Sequence, residues 1–478
     1  MHHELSPKKA IIRELADAQA AHREEWIEKN AFFYQEDFRY MRFLIPAGLR
    51  VLDLGCGTGR LLAELNPSYG VGVDFSENMV KVAQARYPDL EFRVGDVEDR
   101  EFISSLPGPF DVIVISDTIG SLEDCQTTLS NLHYLCTPNT RIVIAYYSKI
   151  WEPLLALARF VGLKMPQKEQ NALSPDDIAN FLYLSDFETV RQEWRQLLPR
   201  RFFGLGTLVN RYLAPLPIIR KACLRNYVVA RPLRNLVSGT PSVTVVIPCR
   251  NERGNIEDAV RRIPRFCSDI EILFVEGHSQ DDTLKEVRRV ISAYSDLNIK
   301  VLVQNGKGKG DAVRIGFEHA RGEILMILDA DLTMPPEALP KFYEAIASGK
   351  GEFINGSRLV YPLEKDAMRF LNYLANRTFS WLFTWLLNQR FTDTLCGTKV
   401  LSKKHYKNIS ENRSYFGEFD PFGDFDLIFG AAKLNLKVIE IPIVYAGRKY
   451  GETQISRFEH GWLLLKMVVF AFRKLKAF

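Results

Sequence analysis

Two aspartates that follow a short apolar segment are the residues of this chain with the clearest potential for chemistry. Residues 324–328 are five apolar residues in a row, and Asp329 and Asp331 come directly after them. Such a segment is typical of a buried parallel strand, and open α/β sheets place ligands at the carboxyl ends of their strands. Two neighbouring carboxylates repel each other, and a divalent cation shared with substrate phosphates relieves that repulsion. We therefore predict an Mg²⁺ or Mn²⁺ site at Asp329 and Asp331, with a pair of solvated loop acids as the alternative.

A glycine-rich turn in the first half of the chain could bind a cofactor. Asp53, Gly55, Gly57 and Gly59 lie at the end of one apolar segment, and a helical pattern follows them. Glycines let the backbone turn sharply and approach a ligand, and the N-terminus of a helix favours a carboxylate or a phosphate. Asp74 ends the next apolar segment, nineteen residues after Gly55. An acid at that position suits a ribose diol.

Three of these motifs together resemble the class I S-adenosylmethionine-dependent methyltransferases: residues 51–59, Val73-Asp74 and Gly95-Asp96. The resemblance implies that the glycines line the methionine part of S-adenosylmethionine, that Asp74 holds the ribose hydroxyls and that Asp96 holds the adenine amino group. The cofactor-binding residues that it implies are Asp53, Gly55, Gly57, Gly59, Asp74 and Asp96. The methyl acceptor site has no recognisable motif.

The composition narrows the class of protein. The chain has 478 residues and a net charge of +4, which gives no indication of a nucleic-acid partner. Its seven cysteines contain no Cys-x-x-Cys pair, a usage typical of a reducing compartment. Residues 1–4 carry no signal-peptide hydrophobic segment, so we expect a cytoplasmic protein.

Strand and helix patterns begin again at residue 243 and lead to Asp329 and Asp331. This second half, over about residues 243–455, resembles the family 2, GT-A-type inverting glycosyltransferases, and within them the dolichyl-phosphate mannose synthase group and its polyprenyl-phosphate relatives. The motifs that carry the resemblance are residues 248–252, 279–283, 310–312, 329–331, 356–358, 393–397, 440–442, 448 and 451–453.

The resemblance also implies which residues contact the nucleotide sugar, with Asp329 and Asp331 binding the metal ion. They are Pro248, Glu252, Glu276, Asp311, Asp329, Arg358 and Arg369. The chain departs from the family pattern at Gly277, where a second acid is usual, and at Thr333, where a glutamine is often found. A surface position on a helix is the alternative for Arg369.

The acceptor decides whether a general base is needed. A sugar hydroxyl must lose its proton during the attack, and Asp424 and Asp426 are the candidate bases. A lipid phosphate is already ionised at neutral pH, because its second pKa is about 6, and it needs no strong base.

We therefore expect an α/β protein with two Rossmann-like domains in tandem. Residues 1–233 form the methyltransferase domain, 234–242 a linker, 243–455 the GT-A glycosyltransferase domain and 456–478 an amphipathic C-terminal helix. The predicted activities are metal-dependent sugar transfer to a polyprenyl phosphate or a glycan or glycolipid acceptor, and methylation of a glycan-related substrate. The alternative is a glycosyltransferase whose first domain binds S-adenosylmethionine without catalysis.

The C-terminal helix also predicts a membrane partner. Residues 462–472 are mostly apolar and three basic residues follow, which suits a helix lying on an anionic leaflet. We expect it, with residues 370–388, to hold the protein on the cytoplasmic face of the membrane. A helix that packs on the core of its own domain is the alternative.

Overall fold

The structure is a computed structural model that describes residues 6–166, 171, 173–233, 240–361, 370–415, 425–448, 450 and 457–478. The chain divides into two compact units, Met1–Asn235 and Leu236–Lys476. Among the described helices, none is long and apolar enough to cross a bilayer.

The first unit contains a seven-stranded sheet in its described residues. The strand order is β3-β2-β1-β4-β5-β7-β6, and β7 alone is antiparallel to its neighbours. The strands are β1 (Arg50–Leu54), β2 (Tyr69–Asp74), β3 (Glu91–Val94), β4 (Phe110–Ser116), β5 (Cys136–Tyr147), β6 (Phe187–Arg195) and β7 (Arg225–Pro232).

Helices cover both this sheet and its carboxyl edge. They are α1 (Pro7–Gln19), α2 (Arg23–Lys29), α3 (Ala31–Leu44), α4 (Arg60–Glu64), α5 (Glu77–Arg86), α6 (Arg100–Ser104), α7 (Cys125–Asn131), α8 (Glu152–Phe160), α9 (Pro175–Leu184) and α10 (Leu205–Leu208). Buried apolar residues of β1, β2, β4 and β5 form the core, because these central strands are covered on both faces.

The second unit contains another seven-stranded sheet, in the order β10-β9-β8-β11-β13-β12-β14. Strand β13 runs antiparallel to β11 and β12. The strands are β8 (Val243–Cys249), β9 (Ile270–Glu276), β10 (Asn298–Val303), β11 (Ile324–Ile327), β12 (Phe353–Ser357), β13 (Lys399–Ser402) and β14 (Val438–Pro442).

Its helices are α11 (Ile256–Arg262), α12 (Thr283–Ala293), α13 (Lys309–His319), α14 (Leu339–Ala347), α15 (Phe370–Leu387), α16 (Lys403–Glu411), α17 (Phe425–Lys433) and α18 (Arg457–Leu475). The predicted fold class, two mixed α/β domains in tandem, is confirmed. Strand β11 is fully buried between parallel β8 and antiparallel β13, so Asp329 and Asp331 leave the sheet at its carboxyl edge as predicted.

Candidate functional sites

The glycine turn after β1 requires glycine for two different reasons. Gly55 and Gly59 have φ values of +81° and +76°, and a Cβ atom would lie 2.0 Å from Thr118 Oγ1 and 2.5 Å from the Phe92 ring, respectively. Gly57 also has a positive φ of +53°, but no atom lies within 4 Å of where its Cβ would be. The turn therefore packs tightly against the protein at its two ends and leaves open space at its middle.

Asp74 ties this turn to the end of β2. Its two carboxylate oxygens accept hydrogen bonds from the backbone N–H groups of Gly57 and Ser76, each at 2.9 Å. Burial raises the pKa of Asp74, and the two amides oppose that rise. An oxygen that accepts one amide keeps a second lone pair, so a ribose hydroxyl can still donate to it.

Asp53 is the polar group of this pocket that most clearly lacks a partner. Its side chain is 2% exposed, and Oδ1 has no hydrogen-bond partner. Burial, and then the negative charge of Asp74, raises the pKa of Asp53 to about 7. An ionised buried carboxylate is costly unless a positive group faces it. The pocket therefore suits a cationic ligand, and S-adenosylmethionine carries both a sulfonium and an ammonium group.

Helices α1 and α2 line this pocket with polar contacts. Lys9 Nζ lies 2.6 Å from Asp96 Oδ2 and 2.8 Å from Glu98 Oε2, and Thr58 Oγ1 donates to Glu24 at 2.6 Å. In the sequence, a lysine or glutamate at helical spacing is indistinguishable from a solvated surface residue, so no local pattern in this region indicates these contacts. Only the tertiary contact identifies Lys9 as the partner of Asp96.

A second cluster of charges lies at the end of β4 and the start of β7, where the sequence has no recognisable motif. The Arg225 guanidinium is fully buried and forms ion pairs with Asp37, at 3.1 Å, and with Asp117. Tyr227 donates a hydrogen bond to the same Asp37 carboxylate. Asp37 and Asp117 line one pocket together with Asp53 and Asp74. This cluster is therefore the candidate acceptor end of the cofactor pocket.

In the second unit, Asp329 is paired with the lysine that begins α13. Lys309 Nζ lies 2.7 Å from Asp329 Oδ1. Burial would raise the pKa of Asp329, but the charge and hydrogen bond of Lys309 outweigh it, and the pKa lies below its usual value. A Cβ atom at Gly397 would lie 1.9 Å from Asp329 Oδ2, so the backbone approaches the carboxylate closely there.

Asp331 is paired with an arginine that also faces Glu252. Arg448 Nη2 lies 2.6 Å from Asp331 Oδ2, and Nη1 lies 3.5 Å from Glu252 Oε1. Thr333 donates to Asp331 Oδ1 from its backbone N–H at 3.1 Å and from its hydroxyl at 2.8 Å. The residue that replaces the family's usual glutamine therefore orients the second aspartate.

These two carboxylates fit a divalent cation that takes its other ligands from the substrate and water. Among the described residues, no group of three or more His, Cys, Asp or Glu side chains could hold a metal ion alone. Mg²⁺ is commonly bound by one or two carboxylates plus substrate phosphates, so the remaining ligands would come from the donor and water.

The other predicted nucleotide-sugar residues shape loops at the same edge of the sheet. Glu276 accepts a hydrogen bond from Ser279 N at 2.6 Å, and Asp311 accepts one from Gly306 N at 3.0 Å. Pro248 lies near the end of β8. Their contacts with a ligand stay predictions, and Arg369 lies outside the described residues.

Arg358 forms a bidentate ion pair with the buried Asp393, at 2.6 and 2.8 Å. The predicted phosphate contact of this guanidinium would have to compete with that pair, so its role also stays a prediction.

The predicted general base is placed differently from the metal pair. Asp426 begins α17 and lies 3.4 Å from Arg314 Nε and 3.3 Å from Arg413 Nε. Two guanidinium groups stabilise the ionised carboxylate and indicate a structural contribution. The base role of Asp426 stays a prediction, and Asp424 lies outside the described residues.

Comparison with known proteins gives similarity in both halves of the chain. The undecaprenyl-phosphate 4-deoxy-4-formamido-L-arabinose transferase of Klebsiella pneumoniae is 26% identical over 220 aligned residues, which are 45% of this chain and 62% of the relative. The dolichol-phosphate mannosyltransferase of Pyrococcus furiosus is 30% identical over 45% of this chain and 59% of the relative. The chain thus spans about 60% of the length of the curated relatives it matches.

Solved structures match each half as well. A SAM-dependent methyltransferase of Thermotoga maritima is 16% identical, with a TM-score of 0.36, over 46% of this chain and 99% of its own. Glucosyl-3-phosphoglycerate synthase of Mycobacterium tuberculosis is 14% identical, with a TM-score of 0.37, over 49% of this chain and 80% of its own. Two family models also match, described as methyltransferase domain for residues 45–191 and as glycosyl transferase family 2 for residues 244–409.

Proposed function

We propose that this chain, which joins a methyltransferase domain to a family 2 glycosyltransferase domain, is a bifunctional enzyme of polyprenyl-linked or other membrane-associated glycans. The glycosyltransferase unit would transfer a sugar from a nucleotide sugar to a polyprenyl phosphate or a glycolipid. The methyltransferase unit would methylate a related glycan from S-adenosylmethionine.

The paired carboxylates at the end of β11 carry the proposal for sugar transfer. Asp329 and Asp331 would hold Mg²⁺ or Mn²⁺, and the ion would neutralise the leaving nucleoside diphosphate. Lys309 and Arg448 neutralise the same carboxylates in this structure. Next to that ion, Lys309 and Arg448 would also stabilise the negative charge that develops on the diphosphate.

An acceptor that attacks from the opposite face of the sugar would invert the anomeric centre. The printed names of two curated relatives specify undecaprenyl phosphate and dolichol phosphate acceptors. We extend that acceptor class to this chain. Because a phosphate monoester is largely ionised at neutral pH, this reaction does not depend on Asp426 as a base.

Helices α15 and α18 support a peripheral position on the cytoplasmic face of the membrane. Met467 and Ala471 of α18 are fully buried, while Trp462, Leu465 and Val469 on its other face are exposed. Trp381 of α15 is also exposed. The helix therefore packs on its own domain and still presents apolar side chains, so the two alternatives drawn from the sequence are compatible.

The unpartnered Asp53 carboxylate carries the proposal for the methyltransferase unit. When bound, S-adenosylmethionine supplies an electrophilic methyl group on a sulfonium. Asp53 and Asp74 would offset the positive charge of the cofactor, and Lys9 would hold Asp96 in place. The buried Asp37, Asp117 and Arg225 would orient the acceptor.

Product analysis tests both activities in one design. The full chain would be incubated with undecaprenyl phosphate and a panel of nucleotide sugars, with and without S-adenosylmethionine, and the products identified by mass spectrometry. We expect a hexose mass increment that is lost in Asp331→Asn, and a methyl increment that is lost in Asp74→Ala. Sugar transfer without any methyl increment across the acceptor panel would leave the first unit as a binding module.

A further inference from the structure

The first unit presents an unusual apolar surface, which we call the apolar rim and define as residues 149–164 and 200–222. It contains 39 of the 478 residues but thirteen of the twenty-nine large apolar side chains that are exposed in the described part of the chain. Phe160 and Ile218 are 89% and 88% exposed, and Phe203 is fully exposed. Exposed apolar side chains concentrated in this way indicate an interaction site in a folded protein.

The topology places both parts of the apolar rim at the ligand-binding edge of the sheet. Helix α8 follows β5, and residues 200–222 connect β6 to β7. Strands β5 and β6 both run antiparallel to β7, so they end at the same edge as β1, β2 and β4. The chain continues from the rim into Met165 and Pro166, which line the cofactor pocket.

Specific contacts hold the apolar rim in one conformation. Trp151 Nε1 donates to the carbonyl of Ala222 at 2.8 Å, which joins the two segments. The Asn210 side chain accepts from Leu198 N at 2.9 Å and donates to Leu198 O at 2.8 Å. Leu155 of α8 is buried with Leu224, while Leu154 and Leu157 point to solvent. The exposed residues are therefore presented by an anchored scaffold.

The charge of the apolar rim identifies the chemistry of its occupant. The rim carries eight basic residues and one acid, Glu152, which gives it a formal net charge of +7 in a chain whose total is only +4. The Lys164 ammonium is buried, so this residue does not contribute to the charge at the surface. The single acid is paired with Arg159 at 2.7 Å. Apolar side chains interleaved with basic ones match the interface of an anionic bilayer, which offers both a hydrocarbon boundary and phosphate headgroups.

We propose that the apolar rim docks on an anionic lipid bilayer and thereby presents the methyltransferase pocket to a lipid-linked acceptor. This inference rests on the proposed methyltransferase function, and it is independent of the exposed face of α18. It accounts for the exposed apolar side chains of a segment that leads directly into Met165 and Pro166 of the pocket lining. The alternative is that the apolar rim binds a second copy of this chain, and the experiments must distinguish this from binding to a bilayer.

Hydrogen–deuterium exchange of the full chain locates the contact. The protein would be compared alone, with neutral phosphatidylcholine vesicles and with vesicles containing 30% phosphatidylglycerol. We expect slower exchange in residues 149–164 and 200–222 with the anionic vesicles only. Unchanged exchange there would overturn the proposal, as would protection that depends on protein concentration without lipid and accompanies a dimer in light scattering.

Substitutions in the apolar rim test its contribution to binding. We expect the double variant Phe203→Ser with Ile218→Ser to lower partitioning onto anionic vesicles at least tenfold in flotation. Both side chains are exposed to water in the free protein, and the serines cannot replace their apolar contacts with the bilayer. The matched control is Tyr183→Ser, which removes a 75% exposed aromatic residue of the same unit outside the rim. Equal loss in both variants, or in neither, would contradict the proposal.

Cofactor binding separates this inference from the function on which it rests. S-adenosylmethionine affinity, measured by calorimetry without lipid, should be the same in the rim variant and in the wild type. A protein that binds the cofactor but not the vesicles would remove the docking proposal alone. A protein that binds vesicles through the apolar rim but not the cofactor would leave the docking and remove the methyltransferase proposal.

Discussion

The two units place a pair of aspartates at the carboxyl edge of their sheets and treat those charges in opposite ways. In the first unit, Asp53 has an oxygen without a partner, and burial raises its pKa to about 7. In the second unit, the Asp329 side chain is 31% exposed, and Lys309 holds its pKa below the usual value. Both residues are aspartates near the carboxyl end of a central strand, and of the two only Asp329 is paired with a lysine.

This difference indicates the charge of the ligand that each site favours. A pocket with a buried carboxylate oxygen that has no partner, as at Asp53, gains from a ligand that brings its own positive charge, as S-adenosylmethionine does. In the second unit, a metal ion would replace the lysine and the arginine as partners of the carboxylates. The two basic side chains would then interact with a polyanionic substrate. The charges that each site presents without a ligand are therefore complementary to its proposed ligand, a cationic cofactor in the first unit and a polyanionic sugar donor in the second.

The largest expected effect is on sugar transfer. Asp329→Asn keeps the size of the side chain and removes its charge, so we expect the rate to fall about a thousandfold or more, or roughly 4 kcal/mol of transition-state stabilisation. The matched control is Asp296→Asn, a 70% exposed acid paired with Arg265. Turnover measured with added EDTA should also vanish, and full activity in EDTA would exclude the metal-dependent reaction.

Removing Asp74 should weaken cofactor binding by a smaller factor. Charge-assisted hydrogen bonds contribute about 1.5–3 kcal/mol, so Asp74→Ala should raise the dissociation constant of S-adenosylmethionine about tenfold to a hundredfold. Calorimetry on the full chain measures it, with Asp89→Ala, an exposed acid of the same unit, as the control. An unchanged affinity would disprove the ribose contact.

The cation of the second site can be removed to make it resemble the first. Lys309→Met should raise the pKa of Asp329 and bind Mn²⁺ about tenfold more tightly at pH 8 without donor, because the competing positive charge is gone. Water proton relaxation measures Mn²⁺ binding. Weaker binding in this variant would show that Lys309 orients the carboxylate instead of competing for it.

The cofactor affinity of the first unit should depend on pH through Asp53. Its pKa is raised to about 7 in the cofactor-free protein, so the carboxyl is protonated below pH 7, and a cationic ligand must displace that proton. We expect affinity to fall about five- to tenfold from pH 8 to pH 6. Asp53→Asn should bind more weakly and lose this slope, while equal slopes in both proteins would argue against the assignment.

The smallest expected effect concerns the membrane contact of the second unit. Trp462→Ser should reduce flotation with anionic vesicles about threefold, because the exposed apolar face of α18 loses one residue while the buried face keeps its packing. A chain ending at residue 456 would remove both faces together. No change in the single variant would indicate that α18 contributes only to the core of its domain.

Much of this organisation could be predicted from local patterns. The strands β1, β2, β8 and β11 each combine a short apolar segment with a glycine or an acid at the carboxyl end, and the structure has them where the sequence indicates. Strand β5 begins at Cys136, six residues before its apolar segment starts at Ile142. Residues 136–139 are partly or fully exposed, so apolar periodicity could not reveal them.

Local patterns could not predict which acid each basic side chain pairs with. Lys9 and Asp96 are 87 residues apart in the chain, and Arg448 and Asp331 are 117 apart. A long flexible side chain can reach any of several acids, and nothing local to the lysine or arginine specifies which. Asp426 illustrates the same limit, since its motif suggested a base and the fold surrounds it with two arginines.

By itself, the sequence determined the two domains, the order of their strands along the chain and the acids and glycines at the ligand edge, because strand patterns and turn residues act over a few neighbouring positions. The tertiary structure alone decided the charge state of those acids, the burial of Arg225 between Asp37 and Asp117, and the gathering of residues 149–164 and 200–222 into one exposed surface. These properties depend on which side chains from distant parts of the sequence become neighbours and how deeply they are buried. Both are decided only when the chain has folded.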